Sequence, residues 1–163
     1  MENSINIMDS LSRLDELCTA GYAIALHINF TTPRFLFQTY DKDWMEMYSE
    51  KGLVLKDPTV LWGFSNTGVA RWHELEDIDD TGLLALAREF GLVFGFTFAI
   101  DQKSGKSITS FARSDRDFSE EEISEISAII QKLHEHTADA HEFSANEMAQ
   151  LKKLSVEFTR GPD

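Results

Sequence analysis

The sequence predicts an α/β fold in which a central antiparallel sheet lies between helices, a three-layer α-β-α sandwich. Two pairs of strand-like segments, residues 22–30 with 35–39 and 94–100 with 108–112, are each joined by a turn, which indicates antiparallel hairpins. Segments with helical spacing of apolar residues precede, separate and follow these pairs. Because sheets and helices both have to bury an apolar face, helices packed on both sides of one sheet account best for this pattern.

The N-terminal part contains a predicted helix and the first hairpin. Residues 5–20 carry apolar residues at helical spacing and end at Gly21, a residue typical of helix C-caps. In residues 22–30 large side chains alternate with small or polar ones, which predicts a strand with one heavily packed face. The large side chains are those of Tyr22, Ile24, Leu26, Ile28 and Phe30. After a turn at residues 31–34, residues 35–39 are predicted to return as the second strand.

Two short helices and an edge strand are predicted next. Asp41 and Asp57 each stand where an N-cap is expected, and Pro58 suits the first helical position. The second helix is predicted to end at the breaker run 65–68, and residues 69–72 to form a short edge strand.

The C-terminal half is predicted to contain a helix, the second hairpin and a long helix. The first helix begins at Asp80 and is closed by Gly91. Ser119 and Glu122 have the spacing of a capping box, which opens the long helix. Its Ile/Leu stripe is wide enough to serve both the core and a partner subunit, or to be used entirely on the sheet. Ser144 is predicted to cap a final helix.

Composition and charge exclude several classes of function. A chain of 163 residues with 42% hydrophobic residues is expected to form one domain with a real core. Its net charge of −13 disfavours direct binding to nucleic acid or to an anionic membrane. The single cysteine, Cys18, excludes an intramolecular disulfide. With no signal peptide and no apolar run of transmembrane length, the expected location is the cytoplasm.

The strongest functional signal lies between residues 40 and 72. Tyr40, Trp44 and Tyr48 are spaced four apart, so that a helix places them on one face. With Asp57 and Trp72 they bring phenols, indoles and a carboxylate to one apolar volume, which indicates a small-molecule pocket rather than a catalytic centre. Each residue also has a purely structural interpretation, because an aspartate before proline caps helices and a tryptophan on an amphipathic helix usually packs in the core.

The second hairpin is predicted to form another wall of the pocket. Gly95, Thr97 and Ala99 alternate with the large residues of their strand and leave volume free on one face. Thr109 and Phe111 are expected to share that face. We identify no catalytic residue, no phosphate loop and no cofactor motif. The five histidines lack a third convergent ligand, so His134 is expected on a solvated helix surface rather than at a metal site.

The spacing of Tyr40, Trp44, Tyr48 and Asp57-Pro58, followed by Trp72, resembles the ligand-binding domain of LuxR-type quorum-sensing regulators. Residues 91–95 and 105–112 continue the resemblance, which covers roughly residues 10–141. It implies the predicted three-layer fold, similar in outline to GAF and PAS sensor domains. It also implies a non-enzymatic sensor that binds an acyl-homoserine lactone or a related small amphiphile.

The resemblance assigns a role to each pocket residue. It implies that Asp57 accepts the ligand amide N–H, that Trp44 donates to the lactone carbonyl and that Tyr40 bonds the acyl carbonyl. Tyr48 and Trp72 match positions that wall the pocket, and Thr59 stands where some relatives direct a hydroxyl at the ligand.

Phe111 departs from the family pattern. Relatives that recognise a 3-oxo group have a small hydroxyl residue there, so the phenyl ring predicts a preference for unsubstituted acyl chains.

The resemblance also predicts the organisation of the regulator. We expect residues 1–143 to form the sensor domain and residues 144–163 to form a C-terminal helix or linker toward a DNA-binding domain outside this sequence. The expected partners are the small-molecule signal and a second copy of the chain. DNA would be bound by the separate helix-turn-helix domain. The alternative is a short stand-alone protein that acts as a dimerising antagonist or as an interaction module without ligand.

Overall fold

The computed structural model describes residues 7–30, 32–102 and 105–138, together with Ala145 and Ala149. Its helices are α1 (Ile7–Leu17), α2 (Lys42–Glu50), α3 (Pro58–Ser65), α4 (Leu83–Glu89) and α5 (Glu120–Thr137). Its strands are β1 (Gly21–Asn29), β2 (Thr32–Gln38), β3 (Gly68–Arg71), β4 (Phe94–Gln102) and β5 (Gly105–Arg113). Two 3₁₀ helices, Leu53–Lys56 and Trp72–Ile78, were not predicted from the sequence. The predicted helix after Ser144 lies outside the described residues, apart from the two isolated positions.

The five strands form one antiparallel sheet in the order β2-β1-β5-β4-β3. The two predicted hairpins are confirmed as β1–β2 and β4–β5, and they join where β1 pairs with β5. The predicted edge strand is confirmed as β3, which pairs with β4 only. The sequence therefore predicted the α/β class and the central antiparallel sheet correctly.

One face of the sheet carries the large side chains and packs against α1 and α5. Phe35 and Phe37 of β2 join the packed face of β1, and Phe96 and Phe111 join it from the second hairpin. Each such side chain, when fully buried, contributes about 1.5–3 kcal/mol of transfer free energy. The helices contribute their own apolar stripes to this cluster: Leu11, Leu14, Leu17, Ile123, Ile126, Ile130 and Leu133. The stripe of α5 is thus used on the sheet, which decides between the two possibilities that the sequence left open.

The opposite face of the sheet is built from small residues. The residue pairs that lie opposite each other on adjacent strands of this face are Ala23 with Ser110, Ala25 with Ile108, Gly95 with Ala112, Thr97 with Ala70, and Ala99 with Gly68. Helices α2, α3 and α4 cover this side, with Trp44, Leu84 and Ala87 buried there. Because the residues on this face are small, α3 and Trp72 come close to the sheet, with Gly63 against Ile108 and Gly95 against the Trp72 ring.

Strand β1 departs from the predicted alternation near its end. Its pairing with β5 shifts between Ala25 and Ile28, which marks a β-bulge, and His27 adopts a positive φ of 55°. The bulge turns His27 into the protein, and Phe30, predicted to lie on the packed face, is 89% exposed. The alternation expected through Phe30 is therefore wrong beyond the bulge.

His27 meets His134 of α5 in a buried polar cluster. The two rings lie 4.4 Å apart, and His27 Nε2 is 2.9 Å from Thr137 Oγ1. Ser107 accepts the His27 backbone N–H and bonds His134 Nδ1 at 2.7 Å. The expectation of a solvated His134 is wrong because the bulge and β5 supply polar partners inside the core.

Capping explains where the shorter helices begin. Asp41 accepts the Trp44 backbone N–H and caps α2, as predicted. The capping box of Ser119 and Glu122 at α5 is also confirmed. At α4 the predicted start at Asp80 is wrong. Instead, the Asp79 carboxylate accepts the N–H groups of the first two residues of α4, which starts at Leu83.

Candidate small-molecule site

Asp57 is the only carboxylate among the buried residues that the structure describes. It caps α3, and Pro58 occupies the first turn, as the sequence predicted. Its Oδ1 accepts the Thr59 backbone N–H at 2.9 Å and the Thr59 hydroxyl at 2.7 Å. Its Oδ2 accepts the Tyr48 hydroxyl at 2.7 Å. The Asp57 side chain therefore caps α3 and is also buried inside the protein.

The protein itself supplies most of the hydrogen bonds that the Asp57 carboxylate can accept. A carboxylate has about four acceptor sites, and the Val60 backbone N–H adds to the three bonds from Tyr48 and Thr59. Burial raises the pKa of Asp57, and these donors oppose the rise. Burial and the Asp57 charge in turn raise the pKa of Tyr48. The tyrosine therefore remains a neutral hydroxyl donor beside the carboxylate.

Tyr40 and Trp44 lie in the same apolar cluster as Tyr48, the donor to Asp57. Both are buried in the cluster on the small-residue side of the sheet, at 8% and 4% exposure. The rings of Trp44 and Tyr48 lie 5.8 Å apart, as expected for residues one helical turn apart on α2. Burial, and after it the negative charge of Asp57, raises the pKa of Tyr40.

Trp72 closes the site on the side of β4. It begins a 3₁₀ helix directly after β3 and is 7% exposed. Its ring lies against Gly95, where a Cβ atom would overlap the indole. Part of the volume that the sequence assigned to a ligand near Gly95 is therefore filled by Trp72. The Trp72 indole N–H is buried and, among the described residues, has no hydrogen-bond partner. Such an orphan donor is uncommon in a protein interior and suits a ligand acceptor.

Thr97 and Ser110 form the polar part of the sheet wall. Their hydroxyl oxygens lie 2.8 Å apart, and both residues are buried on the small-residue face. The prediction that Thr97 lies on the small-residue face of the sheet is confirmed.

Thr109 and Phe111 do not share that face. Phe111 lies directly opposite Phe96 in the register of β4 with β5, and their rings are 5.0 Å apart in the core beneath α1 and α5. Thr109 is opposite Phe98 and donates its hydroxyl to the Phe98 carbonyl. The expectation that these two residues lie on the pocket side was wrong because the assumed register of β5 was shifted by one residue. A shift of one residue moves every side chain of a strand to the opposite face of the sheet.

Ser110 is the residue that sequence reasoning missed. The signal was available in the hairpin, because Gln102 pairs with Gly105 and this register sets Thr97 opposite Ser110. Counting outward from the turn would have found it, and so would matching the large Phe111 with the large-residue face of β4.

Two further features of the described residues bear on the chemistry. They contain no cluster of three or more histidine, cysteine, aspartate or glutamate side chains placed to hold a metal ion. No helix in the described ranges combines the length and apolar character that crossing a bilayer requires.

The fold is an α/β domain with a buried polar cluster around Asp57 on the small-residue side of its sheet. Residues 16–140 match the family described as the autoinducer binding domain. This chain belongs to that family, the ligand-binding domains of LuxR-type quorum-sensing regulators.

Individual relatives agree with this family. The chain is 26% identical over 101 residues to the transcriptional activator protein YukR of Yersinia ruckeri, over 51% of this chain and 44% of YukR. The chain thus spans less than half the length of this relative.

Among solved structures, SdiA in complex with octanoyl-rac-glycerol superimposes with a TM-score of 0.64 and 16% identity, covering 97% of this chain and 73% of that one. CepR2 of Burkholderia cenocepacia, an N-acylhomoserine lactone dependent LuxR-family factor, gives a TM-score of 0.54 and 17% identity, covering 88% of this chain and 95% of that one. These likenesses show the shared fold.

Proposed function

We propose that this domain binds an acyl-homoserine lactone or a related small amphiphile with a neutral polar head. The observation that carries the proposal is the buried Asp57 carboxylate, held beside Tyr48 under the small-residue face of the sheet. A buried carboxylate is costly unless it meets donors, and a ligand amide N–H is one more donor of the right kind. A cationic ligand would instead need a carboxylate that is less fully bonded by the protein.

The crowding around Asp57 dictates how the head group would bind. Because the acceptor sites of the carboxylate are nearly filled, a ligand N–H has to share Oδ2 with the Tyr48 hydroxyl or displace it. A hydroxyl can rotate, so Tyr48 would then donate to a ligand carbonyl. Trp44, Trp72 and Tyr40 carry further donors for the lactone and acyl carbonyls. Thr59 stays on the carboxylate as its fixed backbone partner.

The acyl chain would lie beside α3 on the small-residue face of the sheet, because α3 itself packs directly against Ile108. Ala23 and Ala25 supply an apolar surface on that face, and Thr97 with Ser110 supplies hydroxyls. SdiA, which shares this fold, has been solved with octanoyl-rac-glycerol. An acylglycerol offers the same chain and carbonyl but has an ester where the lactone has an amide. The glycerol hydroxyls can also donate to a carboxylate, so the ligand that isolates the Asp57 contact is the ester analogue of the lactone, α-octanoyloxy-γ-butyrolactone, which has neither an N–H nor an O–H. We expect this domain to favour the amide over that ester.

A titration with three ligands of equal chain length tests this function. We expect N-octanoyl-homoserine lactone to raise the melting temperature most, 1-octanoylglycerol less, and octanoate least, because burying its charge near Asp57 is unfavourable. Mass spectrometry of an organic extract of the purified protein would show whether a ligand of this class copurifies. The proposal fails if none of the three ligands shifts the melting temperature and the extract contains no such amphiphile.

We also propose that ligand binding controls self-association and, through it, a DNA-binding domain of a longer regulator. The acidic surface of this chain, with a net charge of −13, does not suit phosphate contacts, so DNA recognition would belong to that other domain. Sedimentation with and without lactone tests the first part, with a shift toward dimer expected on addition of ligand. A ligand-saturated protein that stays monomeric at all concentrations would refute it.

A further inference from the structure

Lys106 of β5 holds the C-terminal end of α3. Its ammonium donates to the carbonyl of Gly63 at 2.7 Å and lies 3.3 Å from that of Phe64 and 3.4 Å from that of Asn66. The last carbonyls of a helix have no partner within the helix, and they carry the negative end of its dipole. A lysine reaching from the neighbouring strand therefore satisfies these groups and ties the helix to the sheet.

A second contact fixes the same end of α3. Gly63 lies so close to Ile108 that a Cβ atom on the glycine would come within 2.7 Å of Ile108 Cγ2. Lys106 and Ile108 are two residues apart on β5, so both point to the same face, and Ser110 is the next residue on it. The helix is thus held by one charged and one packing contact along a single row of the sheet.

The other end of α3 carries Asp57 and Thr59. The helix has eight residues and spans roughly 12 Å at about 1.5 Å per residue. No flexible segment separates the end held by Lys106 from the end that presents the carboxylate. The outer side of α3 adds little restraint, because Leu61 and Phe64 are 46% and 44% exposed.

We propose that Lys106 is a positioning residue for head-group recognition: by holding the C-terminal carbonyls of α3 it sets the position of Asp57 at the other end of the helix. The proposal rests on the function proposed above. Under this proposal the Lys106 ammonium lies outside the pocket and influences the specificity for an amide ligand only through α3.

The test is a double-substitution cycle with two probes, N-octanoyl-homoserine lactone and its ester analogue α-octanoyloxy-γ-butyrolactone, which has no N–H or O–H to donate. Lys106→Met keeps most of the aliphatic stem and removes the ammonium. We expect it to weaken binding of the amide by about tenfold and binding of the ester by no more than about twofold, because only the amide has an N–H for Asp57. In an Asp57→Asn background Lys106→Met should have little further effect on lactone affinity. Lys106→Arg should restore most of the loss.

The controls separate positioning from general destabilisation. Lys132→Met removes an exposed lysine from α5 on the other side of the sheet and should leave both affinities unchanged. Urea unfolding without ligand measures the stability of every variant. If Lys106→Met folds too poorly to titrate, Lys106→Gln replaces it, and the same comparison of probes applies.

Distinct results overturn the inference and the proposed function. Lys106 would only stabilise the fold if Lys106→Met weakened the affinity for both probes equally. The same conclusion would follow if the affinity losses from Lys106→Met and Asp57→Asn multiplied in the double variant. A wild-type protein that binds neither probe would overturn the proposed function itself. A wild type that binds the lactone, with an unaffected Lys106→Met variant, would overturn the positioning role alone.

Discussion

Replacing Asp57 with asparagine separates the two roles that this side chain combines in the structure. Asparagine caps helices about as well as aspartate, so its carbonyl should still accept both Thr59 donors. Its amide takes the place of Oδ2, and the Tyr48 hydroxyl can turn to accept a hydrogen bond from it. We therefore expect the variant to fold, while a ligand N–H would meet a donor instead of a charged acceptor.

The magnitude follows from the bond that is lost. A hydrogen bond to a charged group contributes about 1.5–3 kcal/mol. Since about 1.4 kcal/mol corresponds to a factor of ten, lactone affinity should fall roughly 10- to 100-fold. Isothermal titration with N-octanoyl-homoserine lactone measures this, and its ester analogue α-octanoyloxy-γ-butyrolactone serves as the matched ligand with neither an N–H nor an O–H. Unchanged lactone affinity, or an equal loss for both ligands, would refute the assigned contact.

The same substitution has a defined effect on stability without ligand. The pKa of Asp57 is raised above its ordinary value of 3.8, mainly by burial, so the folded state holds the proton more tightly than the unfolded chain. The stabilisation from this proton is present below pH 3.8 and is lost as pH rises through the folded pKa. Asparagine cannot ionise. In urea unfolding, the stability of Asp57→Asn relative to the wild type should therefore increase as pH rises from below 3.8 toward neutrality. If the stability of Asp57→Asn relative to the wild type decreased over this pH range, the upward direction of the Asp57 pKa shift would be contradicted.

Four further outcomes are expected. Trp44→Phe keeps the aromatic bulk and deletes the indole donor, so lactone affinity should fall in titration while apo stability changes little; equal losses of both would make it a core residue only. Phe111→Ser should cost about 3–5 kcal/mol in urea unfolding without changing the preference between 3-oxo and unsubstituted lactones, whereas Ser110→Ala should change that preference. Burial is the main reason that the pKa of His27 is lowered from 6.5 to about 4 in the folded state, so the free energy of unfolding should decrease as pH falls from 6.5 toward 4. In His27→Asn, whose asparagine tolerates the positive φ, the free energy of unfolding should decrease less over the same pH range. Ile126→Glu places a charge at a fully buried position and should unfold the monomer, seen as loss of the near-ultraviolet dichroism, rather than merely weaken a dimer.

Local sequence determined the elements of this protein and much of its site. The aspartates at residues 41 and 57 cap their helices because a short acceptor side chain satisfies the free N–H groups wherever it stands before a helix. The spacing of Trp44 and Tyr48 brought their rings together because the helical period is fixed. Tyr40 precedes the helix, so the expectation that one helix carries all three residues is wrong, and Tyr40 joins their cluster only through the tertiary fold. Alternation in β4 likewise predicted correctly which residues share the face of Thr97.

Other features depend on strand register, which has to be counted from the turn, or on partners distant in sequence, which only the tertiary structure brings together. Pairing from the hairpin turn put Ser110, not Phe111, opposite Thr97, because one residue of shift exchanges the two faces of a strand. The bulge in β1 turned His27 inward to a partner more than a hundred residues away. The reach of Lys106 to the end of α3 has no local signature in the sequence. Short-range periodicity determined what each segment becomes, and only the assembled sheet determined which side chains meet across it.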